Sequence, residues 1–188
     1  MPHKFCLAIL FCTSTVLSAC ASHANTYLTL TSVPSGQKWP ASSTKPIAIS
    51  RPDIPPEINR EHFTVEAGPS TLFVAGNVTW AAPLRGMIQL VLAQNLAARL
   101  PNVRVLMPGD PVPPGGVRQV IVNIQQFIPT RQGKVSLQAD WAILSPSVQS
   151  QRHGYIRLSI TGGMTPADEA HTMSIALAEL AERIAKQL

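Results

Sequence analysis

Residues 118–144 read RQVIVNIQQFIPTRQGKVSLQADWAIL, and this stretch decides the fold. Apolar and polar residues alternate in each half of it, as they do in a strand with one buried face. The first run places Val120, Val122 and Ile124 inward, and the alternation slips after Gln126, which predicts a bulge. Residues 154–160 (GYIRLSI) repeat the alternation. Three such runs joined by short connections predict an antiparallel meander with one buried face.

The clearest helix signal follows the meander. Thr165 offers an N-cap hydroxyl, Pro166 suits the first helical position, and Asp168 places a carboxylate in the first turn. Apolar residues then recur at helical spacing along one stripe, formed by Met173, Leu177, Leu180, Ile184 and Leu188. These signals predict an amphipathic helix that packs on the sheet.

The N-terminal half predicts shorter elements around a second helix. Residues 84–100 carry apolar side chains on one helical face, with Pro83 at the entry and Pro101 beyond the exit. Short strands are predicted at residues 27–31, 46–50, 61–65, 70–75 and 102–107. The order of strands, helix, strands and helix predicts an α+β fold, a mostly antiparallel sheet with two helices packed on one face.

The composition narrows the class of protein. The chain has 188 residues and a net charge of +5, with 45% hydrophobic and 13% charged residues. These values predict one folded domain with extensions, and no run reaches the roughly 20 apolar residues of a membrane-spanning helix. Because the basic residues are scattered along the chain, we expect no nucleic-acid-binding face.

All three cysteines, Cys6, Cys12 and Cys20, lie in the first twenty residues, which resemble an export signal. Residues 17–20 (LSAC) resemble the bacterial lipobox, whose cysteine receives diacylglycerol and becomes the new N-terminus. The alternative is an ordinary signal peptide with an incidental cysteine, cleaved at the Ala-x-Ala-like residues 19–21 or near Ala24. We predict a lipoprotein signal peptide at residues 1–19, a lipidated Cys20, a tether at residues 20–26 and one domain at residues 27–188.

Lipidation would use the only cysteine of the mature chain. We therefore expect neither a disulfide nor a cysteine-based zinc site, and we predict no cofactor. Position 21 is Ala rather than Asp. By the usual sorting pattern of Gram-negative lipoproteins, this favours the periplasmic face of the outer membrane.

Catalytic patterns are scarce in the sequence. It contains no GxSxG elbow, phosphate-binding glycine loop or HExxH helix. Asp168, Glu169 and His171 could share a helical face, but acids in a first helical turn are already favoured by the helix dipole. Glu57 and Glu61 flank a proline-rich turn and are interpreted as solvated surface. We predict that the protein is not an enzyme.

Three features go beyond what a plain domain needs. Residues 51–60 form a proline-rich segment bracketed by Arg51 and Arg60, and a rigid segment of this kind can present a binding edge. Trp80 stands directly before the first predicted helix. Trp141 falls in the inward register of its strand, which favours core packing. We predict Arg51, Pro55, Arg60 and Trp80 as residues that contact a partner or shape its binding surface.

Four motifs carry a resemblance that extends in order over nearly the whole mature chain. They are YLTL at residues 27–30, IPPEINR at residues 54–60, WAAPL at residues 80–84 and GKVSLQADWAIL at residues 133–144. With the lipobox, these stretches resemble the PqiC/YmbA family of ABC-type transport auxiliary lipoproteins.

The resemblance implies a function in envelope transport. Such proteins are expected to sit on the periplasmic face of the outer membrane, among its lipids, and to assemble as homo-oligomeric rings. They dock onto a periplasm-spanning MCE-domain protein, whose inner-membrane partner can be an ABC transporter, and the cargo is lipid or another hydrophobic compound. The resemblance brings no catalytic residues.

Two other functions remain open at this point. One is a lipoprotein that binds lipid or acts as a chaperone on its own, which predicts an apolar cavity between helices and sheet. The other is a membrane-tethered hydrolase. It predicts a nucleophile such as Ser70 or Ser159 within reach of His62 or His153.

Overall fold

A computed structural model describes residues 24–34, 36–145 and 148–188, with the backbone alone at residues 148–150. Residues 1–23 lie outside this range, so the predicted signal peptide and Cys20 remain sequence-based predictions. The elements in chain order are β1 (Thr26–Leu28), β2 (Ile47–Ile49), β3 (His62–Gly68), β4 (Thr71–Trp80), α1 (Leu84–Arg99), β5 (Val105–Leu106), β6 (Arg118–Pro129), β7 (Lys134–Ser145), β8 (Val148–Thr161) and α2 (Pro166–Ala185).

The predicted meander is present. Strands β6, β7 and β8 pair antiparallel in sequence order, and Trp141 of β7 pairs with Val122 of β6 and with Gly154 of β8. Inward residues of β6 and β7 are buried, while their neighbours are mostly exposed or half-buried. The bulge lies between the paired residues Ile124 and Gln126, slightly earlier than the alternation indicated. It returns Phe127 to the buried face.

The α+β class is confirmed, but the strands form two mixed sheets and not one mostly antiparallel sheet. One sheet has the order β1-β4-β3, and the other has the order β5-β2-β6-β7-β8. Strand β1 runs parallel to β4, and β2 runs parallel to both β5 and β6. Alternation within β1 and β2 predicts strands, but the partners of so short a strand depend on packing far along the chain.

Both helices cover the buried face of the larger sheet and pack against each other. The side chains of α1 that face the sheet and α2 include Ile88, Leu92 and Leu96, none of which is exposed. The stripe of α2 from Met173 to Leu188 is buried as predicted. One continuous apolar core therefore joins both sheets and both helices.

The predicted start of α2 is confirmed in detail. Thr165 is the N-cap, and its hydroxyl oxygen accepts a hydrogen bond from the backbone N–H of Asp168 at 3.2 Å. The carboxylate of Asp168 in turn accepts bonds from the backbone N–H and the hydroxyl of Thr165, at 3.4 and 2.6 Å. This capping box satisfies backbone donors that would otherwise lack partners at the helix start.

A buried arginine closes the opposite end of α2. The Nη1 of Arg118 donates to the backbone oxygen of Leu188 at 3.0 Å, and its Nη2 donates to the carbonyl of Ser43 at 3.0 Å. The backbone N–H of Ser42 also donates to the oxygen of Leu188, at 2.7 Å. Desolvation lowers the pKa of Arg118, and the nearby Arg152 lowers it further. Arg118, the first residue of β6, thus connects this strand and the loop before β2 to the end of α2.

The position of β1 fixes the direction from which the chain enters the smaller sheet. Thr26 pairs with Val78 and Leu28 pairs with Trp80, in the parallel sense. Residues before Thr26 therefore approach from the side of the β3–β4 turn, where Ser70 has a positive φ of 55°. None of the helices among the described residues is long and apolar enough to cross a membrane.

Candidate functional site

A surface depression of about 510 Å³ lies between the proline-rich segment, the β3–β4 hairpin and the outer side of β6 and β7. We call it the groove. Pro55, Glu57 and Ile58 line it from the segment, Glu66 and Leu72 line it from the hairpin, and three glutamines, Gln125, Gln126 and Gln138, line it from the meander.

The proline-rich segment is held rigidly along β6. The backbone N–H of Asp53 donates to the carbonyl of Val122 at 3.0 Å, and the carbonyl of Asp53 accepts from the N–H of Ile124 at 2.9 Å. Ile54 and Ile58 are buried beneath the segment. The carbonyl of Pro55 accepts two backbone bonds, which close a turn over the following residues. The segment therefore forms a fixed wall of the groove.

The groove combines apolar side chains with amides and carboxylates. The Nε2 of Gln138 donates to Oε1 of Gln126 at 2.8 Å, which fixes two amides side by side. Glu57 and Glu66 add carboxylates, and no lysine or arginine is among the described residues that line the groove. Amides can bond to a peptide backbone, and carboxylates attract basic groups. Arg157, which does not line the groove, donates to Oε1 of Gln138 at 3.3 Å.

The predicted contact residues separate in the structure. Pro55 lies half-buried in the groove, whereas Arg51 and Arg60 are exposed at the two ends of the segment and do not line it. Trp80 is only 6% exposed and stacks edge-on against Phe63, with ring centroids 5.3 Å apart and planes at 70°. Trp80 thus leaves little surface for direct contact, and it shapes the corner between β4 and α1 from within.

The other tryptophan belongs to the core, as predicted. Trp141 is 4% exposed and donates from Nε1 to Oε1 of Gln187 at 3.2 Å. Its indole ring covers Gly154 on the neighbouring strand. This tryptophan secures the meander to the end of α2.

A second depression, of about 280 Å³, opens between the other face of the β3–β4 hairpin and the start of α2. We call it the cleft. Phe63, Val65 and Phe73 form its wall on the sheet, and Met164 and Pro166 form the opposite wall. Met164 and Phe73 stay largely in solvent, with 71% and 48% of their surfaces exposed. The cleft is therefore an opening at one end of the apolar core.

Glu169 is the buried acidic group of this cleft. It is 3% exposed, and burial raises its pKa from 4.5 to about 7, with a further contribution from the charge of Asp168. Arg131 also lines the cleft, and its guanidinium carbon lies 5.1 Å from the centre of the Phe73 ring. Glu169 precedes Met173 by four residues and so falls on the apolar stripe of α2. That position indicates burial, although an acid in a first helical turn is also explained by the helix dipole.

Two of the serine–histidine pairs that the hydrolase alternative allows are far apart. His62 stands at the base of the β3–β4 hairpin and Ser70 at its turn, so most of the length of β3 separates them. His153 and Ser159 are six residues apart on one strand, β8, which places them roughly 20 Å apart. Among the described residues, no group of histidines, cysteines, aspartates and glutamates could hold a metal ion.

Comparison with known proteins gives the family. A family model described as "ABC-type transport auxiliary lipoprotein component" matches residues 28–185, which is most of the chain and all but the ends of the described domain. The chain belongs to this family. The resemblance found in the sequence is thereby confirmed, and membership as an auxiliary lipoprotein implies association with a membrane and with an ABC-type transporter.

Solved structures share the fold of this auxiliary lipoprotein. A crystal structure of an uncharacterized protein superimposes with a TM-score of 0.73 at 16% identity, covering 87% of this chain and 98% of the other. A crystal structure of a Xanthomonas campestris protein of the DUF330 family gives a TM-score of 0.57 at 16% identity, covering 87% of this chain and 91% of the other. No curated protein matches the sequence.

Proposed function

We propose that this auxiliary lipoprotein is the outer-membrane subunit of an MCE/ABC-type envelope transport system for lipids or other hydrophobic compounds. In this role Cys20 carries the lipid anchor on the periplasmic face, and the domain docks a periplasm-spanning MCE-domain protein without performing catalysis. The observation that carries the proposal is the family match over residues 28–185. The separation of candidate nucleophiles from histidines agrees with a role that needs no active site.

The groove is the docking surface in this proposal. Its occupant is an extended, basic segment of the MCE-domain protein, because the groove combines acidic side chains with amides that can bond to a peptide backbone. The wall formed by residues 51–60 is fixed by its bonds to β6, so docking costs little ordering of this segment. Arg51 and Arg60 mark the two ends of this wall.

Anchoring is tested by fractionation of envelopes. A Cys20→Ala variant should leave the outer-membrane fraction and appear as soluble periplasmic protein. Continued outer-membrane association of this variant contradicts lipid anchoring at Cys20.

Docking is tested by photocrosslinking in intact envelopes. A photoreactive amino acid at position 57 or 72 should crosslink to an MCE-domain protein, and the same group at Leu90, an exposed residue of α1, serves as control. Charge reversal by Glu57→Lys should lower the crosslink yield from position 72, whereas Glu179→Lys on the exposed side of α2 should not. If position 90 crosslinks as well as positions 57 and 72, the groove is not the docking surface.

A further inference from the structure

We propose that the cleft binds the headgroup of an amphiphile that carries a primary ammonium group and a phosphate, as in phosphatidylethanolamine. The ammonium would meet Glu169, the phosphate would meet Arg131, and the acyl chains would pass over Phe73 and Met164. This binding activity is separate from docking in the groove.

The size and walls of the cleft fit such a headgroup. A volume of about 280 Å³ holds on the order of ten non-hydrogen atoms, at roughly 30 Å³ for each water-sized group. This is enough for phosphoethanolamine but not for a whole lipid. Phe73 and Met164 at the mouth remain in solvent and form an apolar surface that acyl chains can cover.

Glu169 supplies the recognition of a cation. Its side chain is more than nine-tenths buried, lines the cleft, and has no hydrogen-bond or ion-pair partner among the described residues. A carboxylate with so little access to water is poorly hydrated, so an ammonium brought into the cleft gains a charge-assisted hydrogen bond. The neighbouring Asp168 cannot serve the same purpose, because its carboxylate is engaged in the capping box.

Arg131 supplies the opposite charge at the mouth. It belongs to the β6–β7 turn, and its backbone N–H donates to the carbonyl of Glu66 at 3.2 Å, which fixes the turn against β3. Its guanidinium lies against the ring of Phe73 and keeps its donors available to a phosphate. The order of a buried carboxylate and an exposed guanidinium matches the order of ammonium and phosphate in the headgroup.

The topology places this mouth on the side from which the chain enters the domain. Because β1 runs parallel to β4, the residues before Thr26 approach from the end of the hairpin that carries Phe73. Cys20 and Thr26 are six positions apart, which span at most about 20 Å. A lipid on Cys20 therefore keeps the mouth of the cleft close to the membrane surface.

The binding test uses full-length protein in phosphatidylcholine nanodiscs, titrated calorimetrically with dihexanoyl phosphatidylethanolamine. Dihexanoyl phosphatidylglycerol, which lacks the amine, should bind at least about tenfold more weakly. Phosphoethanolamine without acyl chains should also bind more weakly, which distinguishes an amphiphile from a free headgroup.

Variants separate the parts of the site. Glu169→Gln should weaken binding of phosphatidylethanolamine about tenfold and leave phosphatidylglycerol unchanged, and Glu179→Gln is the matched control on α2. Phe73→Ser should weaken lipid binding, whereas Leu72→Ser, on the opposite face of the same hairpin, should not. Both hairpin residues are exposed, so the fold should tolerate these changes.

Three results would overturn the proposal. They are equal binding of the two lipids, unchanged binding in Glu169→Gln, and binding of phosphoethanolamine as tight as that of its lipid. If Phe73→Ser instead abolished the crosslink to the MCE-domain protein, the cleft would belong to a protein segment. Loss of lipid binding with an intact crosslink supports the cleft site alone, so the two proposals can fail separately.

Discussion

The indole ring of Trp141 occupies the space in which any other residue at Gly154 would place its Cβ atom. The two residues are direct partners on β7 and β8, and a Cβ at position 154 would lie 2.0 Å from Cζ2 of the ring. The ring is also held by Gln187, whose Oε1 accepts a hydrogen bond from Nε1 of the indole at 3.2 Å. Because position 154 has no side chain, Trp141 can pack directly on β8 and also bond to Gln187 at the end of α2.

Gly154→Ala should therefore destabilise the domain. The methyl group must displace the indole ring, and overpacking of this kind costs about 1–3 kcal/mol in free energy of unfolding. Urea denaturation of both proteins measures the difference. Gly76→Ala in β4 is the control, because a Cβ there meets nothing within 4 Å. Equal losses in the two variants would mean that the contact with Trp141 is unimportant.

The cap of α2 predicts a smaller effect. Thr165→Ala removes the acceptor for the backbone N–H of Asp168 and should lower the free energy of unfolding by about 1 kcal/mol. Thr165→Ser keeps the hydroxyl and should retain most of the stability. Thermal unfolding followed by circular dichroism tests both, and a serine variant as unstable as the alanine variant would contradict the capping role.

Removal of the buried arginine should cost more. Arg118→Met keeps the length of the side chain but leaves the oxygens of Ser43 and Leu188 without this donor. We expect a loss of about 1–3 kcal/mol in free energy of unfolding, because the carbonyl of Ser43 loses this donor, whereas the oxygen of Leu188 keeps the N–H of Ser42. Arg183→Met on the exposed side of α2 should be nearly neutral. Similar losses in both variants, measured by urea denaturation, would refute the role of Arg118.

Glu169 predicts a dependence of stability on pH. Its pKa in the folded protein is about 7, above its ordinary 4.5, so between these values the folded state keeps a proton that the unfolded chain has released. Stability conferred by the protonated group is complete below pH 4.5 and is lost as pH rises through 7. The Glu169→Gln side chain does not titrate, so this variant avoids the loss. Between pH 4.5 and pH 8, the difference in free energy of unfolding between the variant and the native protein should shift in favour of the variant by up to about 3 kcal/mol.

Urea denaturation at several pH values measures this difference. Glu179→Gln is the control, because Glu179 is exposed on the same helix. Parallel stability curves for the native protein and Glu169→Gln would contradict burial of an unpartnered carboxyl group. If this pH dependence is found and the cleft binds the headgroup as proposed, the native protein keeps a destabilising Glu169 because this residue binds ligand.

The sequence predicted the elements whose signals are local. Alternation over residues 118–144 gave both strands and nearly the position of the bulge, and Thr165 with Asp168 gave the start of α2. The partners of β1 and β2 could not be predicted, because three-residue strands contain too little pattern to select a parallel neighbour from a distant segment. The division into two sheets follows from those partners.

The candidate sites show the same division. Pro55 was predicted because its segment is rigid by composition, and the structure places it in the groove. Trp80 was predicted to contact a partner or shape its binding surface, and the structure buries it against Phe63, a contact between residues from two strands. Glu169 could not be identified as a candidate from the sequence, because the residues that surround it in the cleft, on the hairpin and at Met164 and Arg131, come from distant segments.

The parallel strands also have a consequence for the order of folding. Ile47 pairs with Val105 and Arg118, and Thr26 pairs with Val78, so the earliest strands wait for segments synthesised long after them. Such distant pairings form slowly compared with the local pairings of the hairpins. Until those segments arrive, β1 and β2 have unpaired edges and exposed apolar residues, which are prone to aggregation. A newly made chain should therefore depend on holding chaperones until β6 has been synthesised.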